Sequence, residues 1–578
     1  MTHEMASAAA SKGENWAKFF VSNSEFHSPS IEGPEFYPLN SSNLPKIAKF
    51  QRDNNKSNVM PPPVYARSLS TFESVICHIG VGGFHRSHMA MYTHERLLSQ
   101  MSNTNNITDK ERWGIIGIGI MPWDSTMGDV LNKQDNMYTV IGRDSDSTTG
   151  TIVGSLIGFV GPDKETENNV LERLANAQTK IVSLTITEKG YCFNVDGKLD
   201  LNNSLVKHDL ENPNEVCQSA VGTIVKALKL RYDRHMNPFT VMSCDNLPGN
   251  GHLTEQMVLD YLVAFGDVEF TEWVRNNCTF PNTMVDRITP ATRPSSNTHE
   301  FSDTVRALVR ETCGVEDEWP VIAERYIQWV IEDKFVCGRP KWEEEGALFV
   351  KDVGPYEAMK LRLLNAGHSA IAYSSYLMSH RYVDVAMDAN SLLPKQQNPV
   401  PQFCLKFFKE QAPNVPPVPG VDLEEYQQTL IKRFGNPNIK DTLQRLAEDG
   451  SQKMLSTMRE AAIENSKQGR SVACFALVVS TWIRYLVGVD EAGVAIEITD
   501  PRSSELIGLA RSTLNCPDGV LPVSAPTSPP IKFLEAAFGE ELASNNIITT
   551  QIFNTLTEIV NSSTHAYMTK LVSETAAE

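Results

Sequence analysis

The stretch VICHIGVGGFHRSH, residues 75–88, decides how the first half of the chain is read. An apolar run rich in Val and Ile stops at Gly80 and Gly82, and HMAMYTHERLLSQM (88–101) continues with helical character. Between a strand and a helix, glycines without Cβ atoms let the backbone approach a pyrophosphate at the helix N-terminus. The third glycine of G-x-G-x-x-G is replaced by His85, and no acid stands in a strand-end context about twenty residues on. The better strand end for one is 140–144, where Gly142 and Arg143 stand. A tight turn with glycines for packing is the competing use of the same residues.

Working outward, WGIIGIGI (113–120), MYTVIGRD (137–144), KIVSLTIT (180–187) and FTVMSC (239–244) read as strands, with helices around 168–177 and 213–232. Strand and helix alternating at this spacing predict an α/β fold with a mainly parallel sheet. Three strands end in GVGGFHR, TEKGY (187–191) and DNLPGNG (245–251). Open α/β sheets bind ligands outside the carboxyl ends of their strands, so these turns are the expected site. Beyond about residue 315 helical patterns take over, among them VIAERYIQWVIEDKF (321–335) and LEEYQQTLIKRF (423–434). The expected organisation is a disordered tail over 1–36, a dinucleotide-binding domain over 37–315 and a mainly helical domain over 316–578.

The chain has 578 residues, 41% apolar and 21% charged, which predicts a soluble globular protein with two large domains. Its formal charge of -18 repels phosphate backbones and anionic lipid, so neither nucleic acid nor a membrane is the expected partner. The ten cysteines form no C-x2-C pair, which suits a reducing cytoplasm. VACFALVVSTWI (472–483) is too short to span a bilayer and reads as a buried helix. The N-terminus shows no charged leader followed by an apolar core. His85, His88 and His94 invite a metal, but no carboxylate or cysteine stands at ligand spacing and Arg86 opposes a cation, so no metal site is expected.

In KLRLLNAGHSAIAY (360–373) three polar residues crowd an otherwise apolar segment. At about 100° per residue, Lys360, His368 and Asn365 point to roughly 0°, 80° and 140°, one broad helix face able to reach a common ligand. The alternative is a snorkelling lysine with Asn365 and His368 satisfying backbone groups.

HIGVGGFHRSH, WGIIGIGI, SLTITEKGY, MSCDNLPGNG, MVDRITP, QWVIEDKF and KLRLLNAGHSA together, in this order, resemble the mannitol 2-dehydrogenase family, the zinc-independent long-chain polyol dehydrogenases. The resemblance runs from about Leu39 to Arg433–Arg445 and more faintly beyond. It implies a Rossmann-like N-terminal domain and a largely helical C-terminal one, with the active site between them. It further implies a monomer that moves hydride between NAD(P) and C2 of a polyol, D-mannitol giving D-fructose. By the same resemblance Lys360 is the general base, Asn246 and Asn365 polarise the reacting oxygen, and His368, Asp286 and Arg433 hold substrate hydroxyls. Gly80, Gly82, Phe84 and Arg86 lie along the cofactor.

The chain departs from the family at Lys189, where a glycine is usual, and at Gly142 and Arg143, where an acid is common. Gly142 and Arg143 would weaken the choice of NAD over NADP, since an arginine favours a 2′-phosphate. A hexuronate (fructuronate or tagaturonate) reductase is the sister alternative, with Lys189 as the cation for a substrate carboxylate. A non-catalytic dinucleotide-binding regulatory protein is the other.

Overall fold

The computed structural model describes residues 36–574 apart from 55, 57, 61, 103–110, 163–166, 195, 391–396, 518 and 520. The tail expected over 1–36 falls, but for Phe36, outside the described residues. The chain divides between Val353 and Gly354 into two compact units, not near residue 315.

The first unit is built on five parallel strands, ordered Leu156–Val160, Trp113–Ile118, Ser74–Ile79, Thr179–Leu184, Thr240–Ser243. Numbered along the chain within this sheet, the order is 3-2-1-4-5, that of a Rossmann domain. The two strands Ser74–Ile79 and Trp113–Ile118 are buried throughout, which is why they read as nearly unbroken apolar runs. Alternate side chains serve opposite faces: Val75, Cys77 and Ile79 join the core containing Ile224 and Leu228 of helix Ala220–Asp233, whereas Ile76 joins the core of Trp329 and Trp342. The polar His78 inside this strand is satisfied by Ser183 Oγ at 2.8 Å on the neighbouring strand.

Among the described residues three smaller sheets complete this unit, and two of them correct the expectation. Tyr138–Arg143, the strand with Gly142 and Arg143, does not enter the main sheet; it pairs with Val321–Glu324 and Thr148–Val153. VIAERYIQWVIEDKF is not helical but forms the strands Val321–Glu324 and Gln328–Glu332, the latter paired with Thr283–Asp286 and Leu348–Val350. Its acids mimic a helix's polar face. In the fold the buried Glu324 and Glu332 accept backbone N–H groups instead, from Ile288 at 2.6 Å and Asn282 at 3.0 Å.

The second unit is helical. Helix Ala366–Leu377 packs against Val400–Gln411, Leu443–Ala447 and Ala473–Tyr485. The last of these matches the buried helix expected at 472–483: residues 474–485 are all buried, as a segment apolar on every side requires. Among the described residues no helix is long and apolar enough to cross a membrane.

Candidate active site

At the carboxyl end of strand Ser74–Ile79 the chain turns through Gly80, whose φ of +92° is open to glycine and costly for other residues. A Cβ there would lie 2.2 Å from the carbonyl oxygen of Thr185, at the end of the adjacent strand. Thr185 also donates its Oγ1 hydrogen to the Gly80 carbonyl at 2.7 Å, and Gly82 N–H donates to the same oxygen at 2.7 Å. The turn is thus closed from within, while above Gly82 the space is open: the nearest atom to a Cβ there is Gly80 O at 3.9 Å. Gly82 caps the short helix Gly83–Ser87. A turn open on this side leaves room for an anion against the backbone at the start of the helix.

Phe84 is half-buried and stacks on His88, their ring centroids 4.9 Å apart. Arg86 differs from expectation. It is 1% exposed, lies against the Tyr138 and Trp319 rings, and donates to the carbonyls of Gly82 (3.3 Å) and Trp319 (2.5 Å). It braces the glycine turn from beneath rather than presenting its guanidinium to a ligand above it. Nor do Gly142 and Arg143 stand at the second strand of the main sheet. That position belongs to Trp113–Ile118, and the acid after it is Asp124, whose Oδ2 accepts Ile120 N–H and Met121 N–H, both at 2.9 Å. Burial pushes the Asp124 carboxyl up. Asp124 falls outside a search at the usual spacing because the segment from Met89 to residue 110 sets this strand about twice as far from the glycine turn.

Asn246 is exposed just beyond strand Thr240–Ser243, and the residue before it organises its surroundings. The buried Asp245 carboxylate accepts Ile186 N–H at 3.0 Å, Thr187 N–H at 2.9 Å and Tyr191 O–H at 2.7 Å. Burial pushes the Asp245 carboxyl up against these three donors, which favour its charged form. The turn Thr187–Gly190, carrying Lys189, is thereby tied to the strand end carrying Asn246; Thr187 is held at φ +61°, a strained value for a β-branched residue. On the other side Asn250 exchanges bonds with Thr283, its Nδ2 donating to the Thr283 carbonyl and its Oδ1 accepting Thr283 N–H, each at 2.9 Å. That fixes Thr283–Asp286, and with it the buried Asp286, to the same loop.

In the second unit the helix of the K-x4-N-x2-H motif is not regular. Residues Lys360–Asn365 form a π turn between helices Gly354–Met359 and Ala366–Leu377, with Ala366 N–H donating five residues back to Leu361 O. A turn closed five residues apart brings Lys360 and Asn365 nearer one face than a regular helix does. Lys360 is 7% exposed; Asn365 and His368 are half-buried. Gly367 admits the Phe408 and Phe434 rings, which a Cβ would approach to 2.6 and 3.3 Å. The His368 ring lies on Phe434 with centroids 4.5 Å apart, so His368 meets the end of helix Leu423–Phe434, where Arg433 is buried. Lys360, Asn365, His368 and the helix of Arg433 are gathered in one region.

The three histidines of the sequence part company. His85 stacks on His78 at 3.5 Å, and burial with neighbouring cations holds its imidazole well below the usual range. His88 Nε2 reaches Gln328 O at 2.9 Å, and His94 Nδ1 meets Tyr65 OH at 2.6 Å. Among the described residues no three His, Cys, Asp or Glu side chains converge as metal ligands.

Two family profiles match the chain: the mannitol dehydrogenase Rossmann domain over residues 74–344 and the mannitol dehydrogenase C-terminal domain over 352–560. D-mannonate oxidoreductase of Escherichia coli (strain K12) is 42% identical over 438 residues, 75% of this chain and 85% of its own. Mannitol 2-dehydrogenase of Aspergillus fumigatus (strain CBS 144.89 / FGSC A1163 / CEA10) is 36% identical over 535 residues, 90% and 99% of the two chains. The solved ternary complex of Pseudomonas fluorescens mannitol 2-dehydrogenase with NAD and D-mannitol superposes with a TM-score of 0.74 at 32% identity, covering 93% of this chain and 99% of that one.

Proposed function

The chain belongs to the mannitol dehydrogenase family, and from that premise we propose that it is an NAD-dependent, metal-independent polyol dehydrogenase interconverting D-mannitol and D-fructose at C2. The observation that carries this is the buried Lys360 on a π turn shared with Asn365 and followed by His368. Oxidising a secondary alcohol requires a base for the hydroxyl proton and donors for the alkoxide-like oxygen. Lys360 takes the proton. The amide N–H groups of Asn246 and Asn365 stabilise the oxygen, and His368, Asp286 and Arg433 orient the remaining hydroxyls. Gly80 and Gly82 hold the dinucleotide pyrophosphate, and Asp124 accepts from the adenosine ribose, which favours NAD over its 2′-phosphorylated form. The bound nicotinamide supplies the hydride acceptor.

A second substrate is favoured by the 42% identity with a D-mannonate oxidoreductase. D-mannonate shares the secondary-alcohol chemistry and differs from D-mannitol by a terminal carboxylate, so the same residues serve the reduction of D-fructuronate. The test is a 340 nm panel of D-mannitol, D-fructose, D-mannonate and D-fructuronate with NAD(H) and NADP(H). Turnover of fructose and mannitol with NAD(H) supports the first reaction; turnover of the acids alone replaces it with the second; turnover of none refutes both.

A further inference from the structure

We propose that Lys189 is the substrate-binding residue that lets this site accept a terminal carboxylate. The proposal rests on the second reaction above and names the group that makes it possible. A chain of net charge -18 repels an anionic substrate at long range, so an acid substrate needs a local cation. Three arginines near the strand ends of the first unit are otherwise engaged. Arg86 is buried on the carbonyls of Gly82 and Trp319, Arg287 donates to the carbonyls of Glu324 and Ser87, and Arg325 reaches Ser147. Lys189 is exposed and, among the described residues, paired with no carboxylate, not even that of the exposed Glu188 beside it.

Its backbone is not that of a loose surface loop. Asp245 binds the N–H groups of Ile186 and Thr187 and the hydroxyl of Tyr191, so one buried carboxylate grips the chain on both sides of Lys189. The next residue after Asp245 is Asn246, a proposed donor to the reacting oxygen. The ammonium therefore projects from a turn fixed to the same strand ends as Asn246, on a flexible stem that suits a carboxylate at the far end of an extended substrate.

The experiment measures kcat and KM of the full-length protein for D-fructuronate and D-fructose with NADH, in wild type, Lys189→Gln and Lys189→Arg. A charge-assisted hydrogen bond predicts that Lys189→Gln lowers kcat/KM for fructuronate about 10- to 100-fold relative to fructose, mainly through KM, and that Lys189→Arg restores most of it. A Lys189→Gln enzyme with wild-type preference for fructuronate overturns the assignment and leaves the acid reaction standing. A wild type that reduces fructose but not fructuronate overturns the acid reaction itself, and the proposal with it. Equal loss on both substrates, with weakened NADH binding, identifies Lys189 as a support of the turn only and also overturns it.

Discussion

Substituting Gly80 and Gly82 in turn separates what the glycine turn does for folding from what it does for the dinucleotide. An alanine at Gly80 must hold φ near +92°, a left-handed backbone that costs it about 1–2 kcal/mol. Its Cβ would lie 2.2 Å from Thr185 O and 2.9 Å from the attached carbon, so the turn must withdraw by roughly 1 Å to reach ordinary contact. Withdrawal loosens the bonds that Thr185 Oγ1 (2.7 Å) and His78 Nε2 (3.2 Å) make with Gly80 O. At about 0.5–1.5 kcal/mol each these bring the total to roughly 2–5 kcal/mol, with dinucleotide binding lost in parallel. Gly82 is the counterpart: its φ of −95° and ψ of −172° suit any residue, and a Cβ meets nothing closer than 3.9 Å. Gly82→Ala should hold or slightly raise stability, by about 0.4–1 kcal/mol, yet weaken NAD at least about tenfold by filling the approach. Urea unfolding followed by tryptophan fluorescence is suited to this, since Trp482 is the single tryptophan of the second unit, and titration calorimetry supplies the NAD affinities. A Gly80→Ala protein within 1 kcal/mol of wild type, or a Gly82→Ala protein with unchanged affinity, refutes the reasoning.

Lys360→Ala should lower kcat for mannitol oxidation by about 10²–10⁴-fold with NAD affinity retained; a variant within about tenfold of wild type moves the base elsewhere. Asp124→Ser should shift the ratio of kcat/KM for NADP(H) over NAD(H) upward by about 10- to 100-fold, whereas an unshifted ratio would return the discriminating role to the Gly142–Arg143 strand. Glu410 is half-buried beneath the start of helix Ala473–Tyr485, accepting Cys474 N–H at 2.9 Å and Phe475 N–H at 2.8 Å, and desolvation pushes its carboxyl up to about 7. A folded value above the unfolded one contributes stability that is complete below about pH 4.5 and lost as pH rises through about 7, here about 3 kcal/mol. Glu410→Gln keeps an acceptor without the charge, so its unfolding free energy should lack that decline between pH 4.5 and 8; parallel curves for the two proteins would count against it.

Four of the five main-sheet strands were legible because each carries an apolar run between turn residues, a signal that needs no knowledge of partners; Leu156–Val160 was not read from the sequence. Tyr138–Arg143 gives the same local signal, but its neighbour Val321–Glu324 lies far along the chain, and nothing in either segment names the other. The strand Gln328–Glu332 was masked by acids that sit at strand ends and bind backbone amides, a use indistinguishable by spacing from a solvated helix face. Arg86 next to two glycines looks like a phosphate ligand until Tyr138 and Trp319 close over it, and both come from elsewhere in the chain. The grouping of Lys360, Asn365 and His368 was readable from spacing, but the π turn was not: side-chain preferences do not distinguish a hydrogen bond closed five residues back from one closed four back.

That π turn makes chain length, more than residue identity, the quantity under constraint between Lys360 and Asn365. Leu361 and Arg362 are half-buried, so their replacement leaves the register of the segment intact. The wide turn takes up one residue more than a regular one, so deleting either closes the turn four residues back and leaves Asn365, His368 and everything after them nearly where they stand relative to Lys360, whereas inserting a residue carries them about 100° around the axis and about 1.5 Å along it. Across any lineage that retains the chemistry, insertions should therefore be excluded from 361–364 more strictly than substitutions or a single deletion, and a library varied in length through this segment would reveal the limit.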